Sequence, residues 1–276
     1  MMHENYEDIQ RMKRRRGIWL VCATLAVVLG LIGFYIWAEY NSPRLDKNTL
    51  CPTNPRHKVP EQRAILIDAS DVYSKLLQDD IHQKLNEIYA KVPKYTRISV
   101  YTIHADTKLE GAKPDIMLCN PGDGSDLSGI VDNPTLVRAK WGKNFKQRLN
   151  EIIKVTFEKP TASQSPIMEQ VLRISVLGFD KQVDAPRKLY IFSDMLQNTD
   201  SWSHYWRNGT SWEDFKKSDS FVEYIGNFRE IDVHLRVITR KRAKGVQNRR
   251  LMDFWENYFA EHGGRVRSIH RLTGAS

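Results

Sequence analysis

The sequence predicts an α/β protein: a doubly wound, mostly parallel sheet preceded by one transmembrane helix. Three observations carry that expectation. Short apolar runs alternate with amphipathic segments of helical period, the pattern of parallel strands joined by crossover helices. One uncharged apolar stretch near the N-terminus is long enough to cross a bilayer. A proline-bearing segment separates that stretch from the rest.

The chain has 276 residues, with 42 Lys+Arg against 33 Asp+Glu and a formal net charge of +9. Its 41% hydrophobic and 27% charged residues exclude a mostly disordered or collagen-like chain. Three cysteines are too few for a disulfide-dense scaffold or a four-thiolate zinc site.

Residues 1–17 form a basic tail with Arg11, Lys13, Arg14, Arg15 and Arg16. Residues 18–38 are apolar and would measure roughly 30 Å as a helix, the thickness of a hydrocarbon core. Trp19 marks one end and Tyr35, Trp37 and Tyr40 the other, where aromatic anchors belong. A cleaved signal peptide is the alternative. The run is long for one, and Trp37-Ala38-Glu39 is a poor small-residue cleavage site. The positive-inside rule puts the N-terminus in the cytoplasm and the remainder outside, as in a single-pass protein of a bacterial inner membrane facing the periplasm. Residues 39–62 hold Pro43, Pro52, Pro55 and Pro60 and read as an extended linker; residues 63–272 read as the globular domain. Cys51 and Cys119 would both lie outside, where a disulfide can persist and would tie the linker to the domain. Two unpaired, partly buried thiols are the alternative.

Within the domain, Ala64–Ile67 is a buried strand ending at Asp68. Ser74–Val92 has helical spacing in Leu76, Leu77, Ile81, Leu85 and Ile88, stopped by Pro93. Arg97–Ile103 alternates as a strand, and Asp115–Cys119 is a third. Asn120–Asp132 is a Gly-, Asp- and Ser-rich loop. Asn144–Phe157 and Ser165–Leu177 are helical, and Leu189–Phe192 is a strand followed by Ser193-Asp194. Ser211–Phe228 is helical and Asp232–Thr239 a strand. Arg249–His262 is a helix stopped by Gly263-Gly264, and Val266–Ile269 is the last strand.

Ligands of an open α/β sheet sit at the carboxyl ends of its parallel strands. There the sequence puts Asp68 and Ser70 after the first strand and Asp194 after the fourth, with Thr161, Ser163 and Ser165 ahead of a helix. These are hard oxygen donors, suited to Mg²⁺ or Mn²⁺.

On these residues the chain resembles the von Willebrand factor A family. Its metal-ion-dependent adhesion site has an Asp-x-Ser-x-Ser signature after the first strand, a Thr on a second loop and an Asp after the fourth strand. Asp68 and Ser70 match the first two positions, Val72 replaces the last Ser, and Asp194 matches the final Asp. Thr161 is the counterpart of the loop Thr, with Ser163 and Ser165 as rivals. The resemblance covers roughly residues 63–272. It implies a divalent cation held by Asp68, Ser70, Thr161 and Asp194, and a partner protein whose Glu or Asp completes the shell. A degenerate fold without metal is the alternative, because an Asp at a strand end also caps helices and turns.

Other classes are less well supplied. Phosphatases of the haloacid dehalogenase type need a second Asp where this chain has Ser70. There is no Gly-x-Ser-x-Gly elbow, His-Glu-x-x-His motif or P-loop. His104, His204, His234 and His262 have no metal-ligand spacing. The expectation is therefore a membrane-anchored interaction or scaffold module with no turnover, and a metal-assisted hydrolase using Asp68 and Asp194 is the enzymatic alternative. Arg240, Lys241, Arg242, Lys244, Arg249 and Arg250 form a basic rim after the strand Asp232–Thr239, fit to receive an acidic protein partner. The same rim is open to a nucleic-acid reading, as in an envelope transfer apparatus, or to that of a solvated loop. Trp202, Tyr205, Trp206 and Trp212 read either as a contact surface or as a lid packed on the core.

Overall fold

In the computed structural model, the described residues are 2–41, 44–54, 56–90, 92–103, 113–126, 133–158 and 162–273. The chain divides into two units, Met1–Arg44 and Leu45–Ser276. The first is the helix α1 (Met2–Asn41), whose stretch Arg14–Trp37 is long and apolar enough to cross a membrane.

The second unit is organised around β1 (Gln62–Asp68). Its side chains alternate between two faces, and both faces are covered. Ala64 and Leu66 join one core, Ile65 and Ile67 the other, which is why the run is continuously apolar. β1 pairs in parallel with β2 (Arg97–Ile103) and β4 (Arg187–Ser193). Beyond β2 lies β3 (Ile116–Cys119), antiparallel. Beyond β4 lie β5 (Ile231–Ile238) and β6 (Arg265–Leu272), both parallel. The order β3-β2-β1-β4-β5-β6 makes a mixed, mostly parallel six-stranded sheet. At the edge, β6 turns Arg265, Arg267 and Arg271 outward, charges that discourage pairing with another chain.

α2 (Lys75–Ala90) buries Leu77, Ile81, Leu85 and Ile88 against Ile65 and Ile67, whereas Leu76, expected on the same face, is exposed. The Ser74 hydroxyl accepts the Leu77 N–H at its start, and Pro93 prevents continuation. The predicted Asn144–Phe157 helix begins earlier. Asn133 caps α3 (Pro134–Trp141), a π-turn spans Gly142–Gln147, and α4 (Arg148–Glu158) follows, sending Phe145, Leu149 and Ile153 into the α2 core. α5 (Ile167–Leu177) packs on the opposite face. The predicted Ser211–Phe228 helix is instead two short ones, α6 (Trp212–Lys216) and α7 (Ser220–Glu223). Serine hydroxyls compete with the helix there: Ser218 donates to the Phe215 carbonyl and Ser220 to the Ser201 carbonyl. α8 (Arg249–Glu261) buries Leu251, Phe254, Trp255 and Tyr258 in the same core as α5.

The segment after residue 44 differs from an extended linker, because it belongs to the globular unit. Asp46 accepts the Thr49 N–H and hydroxyl, the Cys119 N–H donates to the Thr49 carbonyl, and Cys51 is disulfide-bonded to Cys119. This bond fastens the entering chain to the β3 edge.

Candidate functional site at the β1/β4 switch point

The strand order reverses between β1 and β4, so their connections leave in opposite directions and open a crevice at the carboxyl edge. Asp68 ends β1 and Asp194 follows β4, and both are buried. The Asp68 charge is near enough to act on the Asp194 carboxyl, and each side chain is held differently.

Asp68 is fully buried and satisfied by the protein itself. Its Oδ1 accepts the Ser70 N–H at 3.0 Å. Its Oδ2 accepts the hydroxyls of Ser165 at 3.1 Å and Ser193 at 2.8 Å. The Ser193 hydroxyl in turn accepts the Met195 N–H, which fixes its rotor toward Asp68. The Tyr73 hydroxyl donates to the Asp68 carbonyl at 2.6 Å, and burial, then the two acids, push its pKa well up.

Asp194 accepts the Leu196 N–H on Oδ1, and its carboxylate is ion-paired with Arg240, which also pairs with Asp71. Burial, then the neighbouring Asp68, oppose ionisation of the Asp194 carboxyl, and the guanidinium in contact with it favours the carboxylate. Burial likewise lowers the pKa of the Arg240 guanidinium, opposed by Asp68. Each charge alone would be costly there, and contact between them offsets that cost. The guanidinium also lies 5.5 Å from the centre of the Tyr73 ring.

Gln247, buried just before α8, ties these parts together. Its Oε1 accepts the Arg240 N–H at 2.7 Å. Its Nε2 donates to the carbonyls of Asp194 at 2.9 Å and Ile238 at 2.7 Å. Beside Arg240 lies a cavity of about 540 Å³, lined by Asp71, Val72, Tyr73, Tyr205, Thr239 and Arg242 among others.

The remaining expected residues distribute unevenly. Ser70 is buried at the site, and Ser165 is the loop hydroxyl that reaches Asp68. Ser163 is exposed; its carbonyl accepts from Asn198. Thr161 lies outside the described residues, as does the side chain of Lys241. Arg240 does not belong to the free basic rim. It is a site residue, because its position two residues after β5 carries it inward to Asp194. Arg242, Lys244, Arg249 and Arg250 are exposed, with Arg249 3.7 Å from Asp253. Trp202 is a core residue whose indole donates to the Gly209 carbonyl, and Trp212 packs on Phe215, Phe221 and Phe254. Tyr205 and Trp206 stay about half exposed.

The residues fit a divalent ion poorly. Val72, in place of the last signature serine, is 83% exposed, and a guanidinium stands against the Asp194 carboxylate. Among the described residues no group of three His, Cys, Asp or Glu is arranged to hold a metal.

No family model matches the chain, and no curated protein does. Among solved structures it is similar to the conserved hypothetical protein BatB from Bacteroides thetaiotaomicron, at 13% identity and a TM-score of 0.37, over 77% of this chain and 91% of that one. It is also similar to an aerotolerance-related membrane protein from Bacteroides fragilis NCTC 9343, at 12% identity and a TM-score of 0.33, over 76% and 90% of the two chains. The functional reading therefore rests on the geometry of the β1/β4 edge.

Proposed function

We propose that the protein is a membrane-anchored interaction module, similar to von Willebrand factor A domains, that receives an acidic protein partner at the β1/β4/β5 edge. The observation that carries this reading is the placement of Arg242, Lys244, Arg249 and Arg250, all exposed, on the loop after β5 and the start of α8, beside the edge where Asp68 and Asp194 meet. Solvated guanidinium groups pair carboxylates bidentately and steer association. The apolar helix fits an anchor, and the basic tail before it supports a cytoplasmic N-terminus with the globular unit on the far side of an inner membrane. The Cys51–Cys119 disulfide supports the same placement, since such bonds persist outside the reducing cytoplasm. The role is assembly or scaffolding of an envelope complex.

The test is crosslinking in native membranes with mass-spectrometric identification of neighbours, for the wild type and for Arg249→Glu/Arg250→Glu. Protein neighbours crosslinked through acidic segments, and lost in the charge-reversed chain, are expected. An unchanged crosslink pattern would remove the basic rim from the reading. Recovery of nucleic acid with steep salt dependence would favour the transfer-apparatus alternative.

A further inference from the structure

We propose that Arg240 is the resident cation of this edge, its guanidinium joining Asp194 to Asp71 in the place of a divalent ion, so that the edge works without metal. This rests on the reading of the β1/β4 edge as the functional face and specifies its chemistry.

Four observations carry it. Arg240 contacts two carboxylates from two different loops: Asp194 after β4 and Asp71 after β1. That is the bridging role a bound ion would serve, tying the same two loops. Next, the backbone that carries the guanidinium is fixed. Gln247 holds the Arg240 N–H and the Asp194 carbonyl with a single buried amide, joining the two backbones from which the arginine and its acid extend. Third, the other acid needs no cation. Both oxygens of Asp68 already accept protein hydrogen bonds, from Ser70, Ser165 and Ser193. The Ser165 and Ser193 hydroxyls point their protons at the carboxylate, whereas ligation of an ion would require them to point lone pairs outward. Fourth, the position at which the signature would supply another hydroxyl is Val72, 83% exposed.

An arginine is a permanent cation, since its guanidinium does not deprotonate under ordinary conditions. A site built on it is insensitive to chelators and metal supply. An acidic partner would then be recognised by the exposed arginines at the rim, while Arg240 offsets the charge of the acids beside them with no bridging ion.

The test uses the full chain in detergent, stripped with EDTA, with the melting temperature followed as Mg²⁺ or Mn²⁺ is added. The wild type is expected to show no change. Arg240→Ala and the better-packed Arg240→Met are expected to melt lower. Each should regain about 3 °C or more with saturating Mn²⁺, as the ion enters the space the guanidinium left. Arg240→Lys, which keeps a cation, should not respond, and adding Asp194→Ala to Arg240→Met should abolish the response. A saturable rise in the wild type that Asp194→Ala removes would overturn the proposal. So would folded Arg240 variants that ignore both metals. No partner enters this measurement, so its failure is separate from that of the crosslinking experiment.

Discussion

The guanidinium of Arg240, two residues after β5, is ion-paired with the carboxylate of Asp194, directly after β4. The two residues lie far apart in sequence and meet because β4 and β5 are adjacent parallel strands that end at the same level. The pair joins a buried acid to the first residue of a basic loop, making the interior of the site and its exposed rim parts of one device.

Asp68 anchors the other half. Asp68→Ala would leave the Ser165 and Ser193 hydroxyls and the Ser70 N–H without their acceptor in a buried setting. Such orphaned donors make the substitution destabilising by roughly 2–4 kcal/mol. Asp68→Asn, which keeps acceptor capacity on one oxygen, should cost less. Urea denaturation of the wild type and both variants checks the order.

A histidine gives the domain an acid limit. His204 is buried against Phe254 and Trp255, with its Nδ1 accepting the Gln197 N–H, and burial lowers its pKa to about 3. Burial lowers that of His234 to about 4. In the unfolded chain both protonate near 6.5. Their contribution to stability is thus complete above about pH 6.5 and is lost as the pH falls toward the folded values. The buried acids are common to both proteins, so the comparison of variants isolates the histidine. The urea midpoint should fall between pH 7 and pH 4, and His204→Gln should flatten that fall. Parallel pH curves for the two proteins would contradict the assignment.

The disulfide closes a long loop. Cys51 and Cys119 are separated by 68 positions, for which the chain-entropy estimate is about 4 kcal/mol at most. Cys51→Ser or full reduction should lower the melting temperature of the domain by several degrees, with the sheet retained. Circular dichroism with and without reductant reads both quantities.

The helix Arg14–Trp37 should hold the full chain in the membrane through alkaline extraction. A chain beginning at Leu45 should be released, because the globular unit keeps its own core and disulfide. Retention of the shorter chain would show a second membrane contact.

Much of this fold is legible in the order of residues. The span, the strand ending at Asp68, the strand leading to Ser193-Asp194 and the helix stopped by Gly263-Gly264 all declare themselves through local periodicity and breakers. The candidate site is legible only in part. Asp68 and Asp194 can be found as acids at strand ends. That Ser193 serves Asp68 depends on β4 lying beside β1. Gln247 carries no local signal, since a glutamine in a loop is ordinary until its amide is seen bridging three backbone groups. Arg240 is indistinguishable in sequence from Arg242 or Arg249, and only the path of the chain after β5 separates the inward arginine from the solvated ones.

By itself, the sequence determined the elements and their class: an apolar helix of bilayer length, then alternating strands and helices that must bury both faces of a sheet. These follow from hydrophobic burial, which repeats with the period of the local structure and so is written residue by residue. Only the tertiary structure decided which charges meet, because Coulombic and hydrogen-bond partners are selected by strand order and register across long separations. Thus it placed Arg240 on Asp194 and Asp71 and left Asp68 to its serines.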